Sequence, residues 1–231
     1  LVCKMGKEDG SKGKGEGEFI CPWGVVVTAD SAHVIIADTY NNRLQLLTLT
    51  VSGEGTKAAL AFVRFIGVGQ MKRPRGLALR SVGGRETVLV AEYGNHQVSE
   101  WAMDGTKVRT VYGTGKKGSG DGELNTPTDV TVLPASGHIA IADYMNHRVV
   151  IVDGETGSFL RAFGSVGEEK DGQFDGPSAI AADAHDHLLV LDGDTDRLQV
   201  FGAADGRHLC SRTDLGIKGS MNDKGLEWRA E

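Results

Sequence analysis

Residues 142–148, ADYMNHR, place four chemically active side chains close together in the chain. Asp143 supplies a carboxylate, Asn146 an amide, His147 an imidazole and Arg148 a guanidinium. Groups of these types could act as general acids and bases or bind a metal ion. The same side chains also stabilise tight turns, in which an Asp accepts backbone N–H groups and an Asn adopts a left-handed conformation. Whether the stretch occurs once or many times distinguishes the two interpretations.

The stretch is one member of a repeat. In four places an acidic residue is followed five positions later by Arg or Gln. The members of this turn motif are Asp38, Asn41 and Arg43; Glu92, Asn95 and Gln97; Asp143, Asn146 and Arg148; and Asp192 and Arg197. The acids are separated by 54, 51 and 49 residues, and each follows a proline by 15 to 18 residues. Because an active site is needed only once, we interpret the motif as structural, with the Arg pairing with the acid.

Each repeat consists of short strands separated by turn residues. In the third repeat, β-branched and other apolar residues are frequent in the segments DVTVL, HIAIADY, RVVIVD and SFLRAFG. No segment sustains the 3.6-residue apolar period of a helix of normal length. Tandem four-stranded units of about 50 residues predict an all-β fold of the β-propeller class. A β-sandwich, the alternative all-β architecture, does not predict the constant offset between acid and Arg.

The repeat resembles the NHL repeat. The shared elements are Pro-x-Gly-hydrophobic, then hydrophobic-Ala-Asp-x-x-Asn-x-Arg, then a Gly-x-Phe that closes a strand. Glu92 and Gln97 in the second repeat and Thr195 in the fourth depart from the pattern, so we expect these turns to be held less firmly. The resemblance implies a propeller of about six blades, of which the four repeats form an arc or a part.

We expect a single domain over residues 1–231. The repeats span about 19–67, 71–113, 124–164 and 174–216. Residues 1–6, LVCKMG, align with FLRAFG at 159–164 and are expected to form the last strand of a preceding blade.

The bulk composition narrows the functional classes. A net charge of -6 and a pI of about 5.7 give no global basic field that favours nucleic acid. The three cysteines show no CxxC spacing, which disfavours a disulfide framework or a structural zinc site and favours a reducing compartment. No apolar stretch approaches the roughly 18–20 residues of a transmembrane helix.

The histidines and aspartates do not predict a convergent metal site. His33, His138 and His187 each precede a repeat acid by five residues, so they are expected on successive blades rather than at one point. The stretch LDGDTDR at 191–197 begins like an EF-hand loop but lacks the Gly and the Glu that the loop requires. We therefore predict no metal and no cofactor. The alternatives are a weak, irregular calcium site at Asp192, Asp194 and Asp196, and a metal-dependent lyase or hydrolase as the enzymatic function.

Basic residues cluster once, at Lys72, Arg73 and Arg75. In a propeller, this linker shares a face with the turns that carry His96 and His147. A basic face could bind RNA through its phosphates. The corresponding linker before the fourth repeat, GEEKDGQFDG, is acidic, so the face is split in sign and a complementary protein partner is favoured.

The first repeat carries an unusually long outer hairpin, RLQLLTLTVSGEGTKAALAFVRFIG at 43–67. Its extension includes the apolar residues Leu49, Val51, Leu60 and Phe62. Long apolar edges are normally avoided, so we expect a docking surface; a hairpin packed on its own loop is the alternative.

Together these features predict a non-enzymatic interaction module or scaffold. It would be a protein-binding domain or subunit of a larger protein or assembly. The linker, the two histidines and the hairpin would contact the protein partner, and RNA binding by the basic linker is the alternative.

Overall fold

The computed structural model of the chain describes residues 5–7, 9–52 and 57–212. Within these residues the regular elements are β-strands and two single 3₁₀ turns, at Thr39–Asn41 and Tyr144–Asn146. None of the described residues forms a helix that is long and apolar enough to cross a membrane. The strand expected at 1–6 falls mainly on residues 1–4, and the end of the fourth repeat falls on 213–216, which lie outside the described ranges.

The strands form four four-stranded sheets, each with its strands in chain order. The first sheet contains β1 (Pro22–Val27), β2 (His33–Asp38), β3 (Arg43–Ser52) and β4 (Lys57–Ile66). The second contains β5 (Pro74–Val82), β6 (Arg85–Glu92), β7 (Gln97–Ala102) and β8 (Lys107–Tyr112). The third contains β9 (Pro127–Val132), β10 (Ile139–Asp143), β11 (Arg148–Val152) and β12 (Phe159–Phe163). These last bounds lie within two residues of the strands expected from the sequence.

A short parallel pair, β13 (Ser165–Val166) with β14 (Gln173–Phe174), leads into the fourth sheet. The fourth sheet contains β15 (Pro177–Ala182), β16 (His187–Asp192), β17 (Arg197–Gly202) and β18 (His208–Arg212). By its internal contacts the chain divides into two compact units, residues 1–95 with 99–109, and residues 96–98 with 110–231.

Each unit has its own apolar core. In the first unit, Ile35 and Leu44 of the first sheet pack with Val88, Val90 and Trp101 of the second, and all five side chains are fully buried. Since successive residues of a strand point to opposite faces, the alternating apolar positions place these side chains on one side of each sheet. Burying each of them contributes about 1.5–3 kcal/mol.

The core of the second unit is built in the same way. Val149 and Ile151 of the third sheet pack with Leu188, Val190 and Phe201 of the fourth. In both units, apolar side chains of two successive sheets thus pack into one core.

One glycine permits the close approach of β1 and β5. A Cβ atom at Gly24 would lie 2.3 Å from the carbonyl oxygen of Arg75, which is closer than any real contact. A hydrogen bond from the Thr39 hydroxyl to the Pro74 carbonyl oxygen, 2.7 Å, ties the same two sheets together. These contacts set the position of the linker that precedes β5.

Candidate interaction site

The turn motif of the third sheet surrounds one fully buried carboxylate. Asp143 Oδ1 accepts a hydrogen bond from the Asn125 backbone N–H, 2.7 Å. Its Oδ2 accepts hydrogen bonds from Asn146 Nδ2 at 2.7 Å and from Arg148 Nε at 2.8 Å. Arg148 also donates to the Ser119 carbonyl oxygen, 2.8 Å. The side chains that resembled an active site therefore tie the turn to the preceding linker.

The first sheet repeats this arrangement. Asp38 is fully buried and accepts hydrogen bonds from the Ile20 N–H at 2.8 Å and from Arg43 Nε at 2.9 Å. Asn41 Nδ2 donates to the same carboxylate, 2.9 Å, and Gln45 Nε2 adds a bond of 3.0 Å. In the second sheet, Glu92 accepts from Asn95 and Ser99.

The left-handed residue of each turn is not the motif Asn, so that expectation is wrong. Asn41 and Asn146 end the 3₁₀ turns, and their amides are used to bind the carboxylate. The residue with positive φ is the next one in the chain: Asn42 (φ 54), His96 (φ 50), His147 (φ 53) and Asp196 (φ 52). The Asn amide thus binds the carboxylate, and the next residue adopts the left-handed backbone conformation.

The imidazoles of His96 and His147 are engaged within the chain. His96 Nδ1 accepts a hydrogen bond from the Thr126 N–H, 3.0 Å, so its other ring nitrogen carries the proton in the neutral form. His147 Nδ1 lies 2.7 Å from the Asp175 carbonyl oxygen and donates to it. His147 thus joins its turn to the linker that precedes the fourth sheet.

The turn of the fourth sheet is incomplete. Asp192 accepts two backbone hydrogen bonds, from Asp175 and Gly176, both at 2.8 Å. Within the described residues, the buried atoms Thr195 Oγ1 and Arg197 Nε have no hydrogen-bond partner. Arg197 instead donates to the Glu168 carbonyl oxygen, 2.7 Å. The absence of the motif Asn thus leaves this turn with fewer side-chain bonds.

Among the residues that the structure describes, no three or more His, Cys, Asp and Glu side chains form a group that could hold a metal ion. Of the alternating residues Asp192, Asp194 and Asp196, the first is bound as above and the second accepts a hydrogen bond from Tyr144 Oη, 2.6 Å. The histidines that precede the repeat acids make local contacts. His187, for example, lies 2.8 Å from Asp183.

The basic linker forms a stacked group with aromatic residues of the first unit. The guanidinium carbon of Arg75 lies 4.4 Å from the centroid of the Trp23 ring and 3.8 Å from that of Tyr93. The cation is therefore held between two rings, an arrangement worth about 0.5–2 kcal/mol per ring. Trp23 keeps 38% of its surface exposed, so the stack is open to solvent.

A second cation and ring lie beside this stack. The Arg73 guanidinium carbon is 5.5 Å from the centroid of the Tyr40 ring, and Tyr40 is 46% exposed. Lys72 and Arg73 are both exposed, and neither forms an ion pair with any carboxylate of the described residues. We call Trp23, Tyr40, Lys72, Arg73, Arg75 and Tyr93 the cationic–aromatic patch.

Three hydrogen bonds hold the backbone of the cationic–aromatic patch. The Tyr93 N–H donates to the Arg73 carbonyl oxygen at 3.2 Å, and the Gly94 N–H to that of Lys72 at 3.0 Å. The Arg73 N–H donates to Asn42 Oδ1, 2.9 Å. The patch is thus a preorganised surface rather than a free loop.

Sequence reasoning found the three cations but missed the three aromatic rings. A signal was present, because Trp23 and Arg75 each follow a repeat proline directly. Residues at the same position of consecutive repeats are neighbours when their sheets pack together.

The long hairpin of the first repeat is present as the ten-residue strands β3 and β4, with residues 53–56 outside the described ranges. Val51 is 56% exposed, and Leu49, Leu60 and Phe62 are half-buried.

Comparison with known proteins assigns the repeat. The family model described as NHL repeat matches residues 19–45 and 124–152. These are the two segments in which Asp, Asn and Arg complete the buried turn. The chain thus contains NHL repeats. The second and fourth repeats, in which Glu92, Gln97 and Thr195 depart from the pattern, are not matched by the family model at their turns.

Two curated relatives share parts of the chain. The RING finger protein nhl-1 of Caenorhabditis elegans is 38% identical over 88 residues, which are 38% of this chain and 8% of that protein. Peptidylglycine alpha-amidating monooxygenase of Rattus norvegicus is 29% identical over 134 residues, 55% of this chain and 13% of that protein. The chain therefore spans less than a fifth of the length of either relative.

Among solved structures, a chain of a nidogen–laminin complex is similar with a TM-score of 0.61 and 16% identity, covering 84% of this chain and 64% of that one. At this identity the likeness concerns the fold alone. The expected all-β propeller class is confirmed.

Proposed function

We propose that this NHL chain is a non-enzymatic interaction module that binds a protein partner through the cationic–aromatic patch. The observation that carries the proposal is Arg75 held between Trp23 and Tyr93 beside two exposed cations that lack a carboxylate partner among the described residues. Tyr, Trp and Arg are the residues that contribute most to protein interfaces.

The chemistry of the patch favours an acidic partner segment. Stacking between two rings already fixes the orientation of the Arg75 guanidinium, which lowers the entropic cost of binding. Lys72 and Arg73 add two positive charges that the described residues do not neutralise. The exposed faces of Trp23 and Tyr40 can cover apolar side chains between the acids.

A labelled peptide of three Glu-Glu-Leu repeats tests the proposal by fluorescence anisotropy. Arg75→Lys keeps the charge but removes the planar stack, and we expect binding to weaken by about 5- to 10-fold. Arg207→Lys is the matched control, because Arg207 is 74% exposed and lies only 3.7 Å from Asp205 in an unrelated turn. Equal affinities of the two variants would contradict the proposal.

RNA is the second candidate, since the same patch combines exposed cations with exposed rings on which bases can stack. A uridine 12-mer tests it by the dependence of affinity on salt. Two to three phosphate contacts predict a slope of log K against log salt of about -1.4 to -2. Binding that is absent, or that does not depend on salt, removes this candidate.

A further inference from the structure

The β3–β4 ribbon extends beyond the corresponding strands of the other sheets. Its two strands have ten residues each, whereas the third and fourth strands of the other sheets have five or six. A neighbouring sheet of ordinary size therefore leaves the end of the ribbon uncovered. The extra residues need a separate explanation.

One side of the ribbon is apolar. The register pairs Leu47 with Phe62, Leu49 with Leu60 and Val51 with Ala58. The alternate pairs contain Thr48, Thr50, Ser52 and Lys57 together with alanines. Because side chains alternate across a strand, the first set lies on one side and the second on the other.

The backbone of β4 offers hydrogen-bonding groups on the same residues. The Leu49 N–H donates to the Ala32 carbonyl oxygen, 2.7 Å, so Leu49 directs its backbone groups away from β4. Leu49 and Leu60 are therefore a non-hydrogen-bonded pair, and Leu60 directs its own N–H and C=O to the outer edge. By the period of two, Ala58 and Phe62 do the same.

This outer edge is available for pairing. β4 is the last strand of its sheet, and among the described residues β4 pairs only with β3. Neither Gly nor Pro interrupts the segment Lys57–Ile66. The register with β3 is regular from Lys57 to Phe62 and shifts at Val63, and a regular edge of six residues is a template for another strand.

The charges of β4 indicate which side chains a strand that pairs with its outer edge would carry. The charged residues of β4 are Lys57 and Arg64, near its two ends, and the strand contains no acid. Antiparallel pairing of β4 with a second copy of itself brings these like charges towards each other, which is unfavourable. A partner strand with an acid near each end and apolar residues between them complements both the two charges and the apolar side.

We propose that the outer edge of β4 binds an extended, acid-flanked apolar segment of a partner protein, which adds to the first sheet as a fifth strand. Its backbone pairs with Ala58, Leu60 and Phe62, and its apolar side chains cover the apolar side of the ribbon. The proposal rests on the proposed role of the chain as a protein-binding module, but it uses a surface separate from the cationic–aromatic patch.

A labelled peptide, Glu-Val-Thr-Val-Thr-Val-Glu, is the probe, with the same peptide carrying Lys at both ends as its control. Ala58→Pro removes an outward N–H without removing a bond to β3, and Pro is tolerated at such edge positions. We expect it to weaken binding about 5-fold, whereas Ala58→Thr, which keeps the N–H, leaves binding within about 2-fold. The Lys-ended peptide is expected to bind more weakly.

Two lysine substitutions form the second matched pair. Leu60→Lys places a charge on the apolar side and is expected to weaken binding by about 10-fold, whereas Ala61→Lys places it on the opposite side and is expected to have little effect. Slower amide exchange at Ala58, Leu60 and Phe62 with the peptide bound is expected, and circular dichroism verifies that each variant is folded.

Three results would overturn the proposal: no binding of the Glu-ended peptide at millimolar concentration, equal effects within either variant pair, or a dimer of the chain that Ala58→Pro dissolves. The last result would show that the edge pairs with a second copy. Arg75→Lys is expected to leave this peptide's affinity unchanged, so failure of the patch and failure of the edge are distinguishable.

Discussion

Replacing Thr195 by Asn should stabilise the fold by completing the fourth copy of the turn motif. In the third sheet, Asn146 Nδ2 donates both to Asp143 Oδ2, 2.7 Å, and to the Gly118 carbonyl oxygen, 2.8 Å. At the equivalent position of the fourth sheet, the Thr195 hydroxyl oxygen is buried and has no partner within the described residues. Thr195→Asn replaces an unsatisfied hydroxyl with an amide directed at the Asp192 carboxylate.

The magnitude follows from two contributions. A hydrogen bond to a charged group contributes about 1.5–3 kcal/mol, and relief of an unsatisfied buried hydroxyl adds about 1 kcal/mol. Ordering the longer amide opposes these gains by about 1 kcal/mol. We therefore expect a net stabilisation of about 1.5–3 kcal/mol for Thr195→Asn. The reciprocal change, Asn146→Thr, is expected to destabilise by about 2 kcal/mol or more.

Thermal unfolding measures both variants against a control. At about 2–4 °C per kcal/mol for a chain of this size, Tm should rise by about 6 °C for Thr195→Asn and fall by about 6 °C for Asn146→Thr. Thr50→Asn, at an exposed strand position, is the chemical control and should give no gain. If Asn146→Thr lowered Tm but Thr195→Asn did not raise it, the two turns would not be equivalent. If neither Tm changed, the Asn amide would not hold the turn.

Three further predictions concern packing and pH. Gly24→Ala should lower the free energy of unfolding, measured in urea, by about 1–3 kcal/mol, because a Cβ atom 2.3 Å from the Arg75 carbonyl oxygen forces β1 and β5 apart. The same variant should weaken binding of the Glu-Glu-Leu peptide. Unchanged stability would refute the close approach. Desolvation raises the pKa of Asp129 to about 6, above its unfolded value, so stability should fall by roughly 3 kcal/mol as pH rises from about 3 to about 7, and Asp129→Asn should flatten this part of the profile. Burial opposes ionisation of Glu100, but hydrogen bonds from Arg109 and Thr87 hold its pKa below the ordinary value, so its contribution to stability is lost as pH falls into the acid range. Glu100→Gln should lower the urea midpoint at pH 7 more than at pH 3, and equal losses at the two pH values would contradict this.

The fold could be predicted because its signals are local. Alternating apolar residues and turn residues located the strands of the third sheet to within two positions, and the repeated acid identified the buried turn. The left-handed position was assigned to Asn41 and Asn146 from residue preference alone, and this was wrong. The 3₁₀ turn moves the positive φ to the next residue, and the buried carboxylate takes the amide. Preference cannot reveal that a hydrogen bond within the turn competes for the same side chain.

The cationic–aromatic patch shows what could not be predicted from the sequence. The order of residues alone establishes four repeats, a basic linker at Lys72 and Arg73 and a long hairpin, because composition and spacing are properties of the chain. Only the tertiary structure brings Arg75 between Trp23 and Tyr93, since these residues are far apart in the chain and meet only where the first two sheets pack. Likewise, the pairing register alone decides which backbone groups of β4 face outward. The residues of both candidate surfaces can thus be located from the sequence, but their arrangement depends on sheet packing and strand pairing.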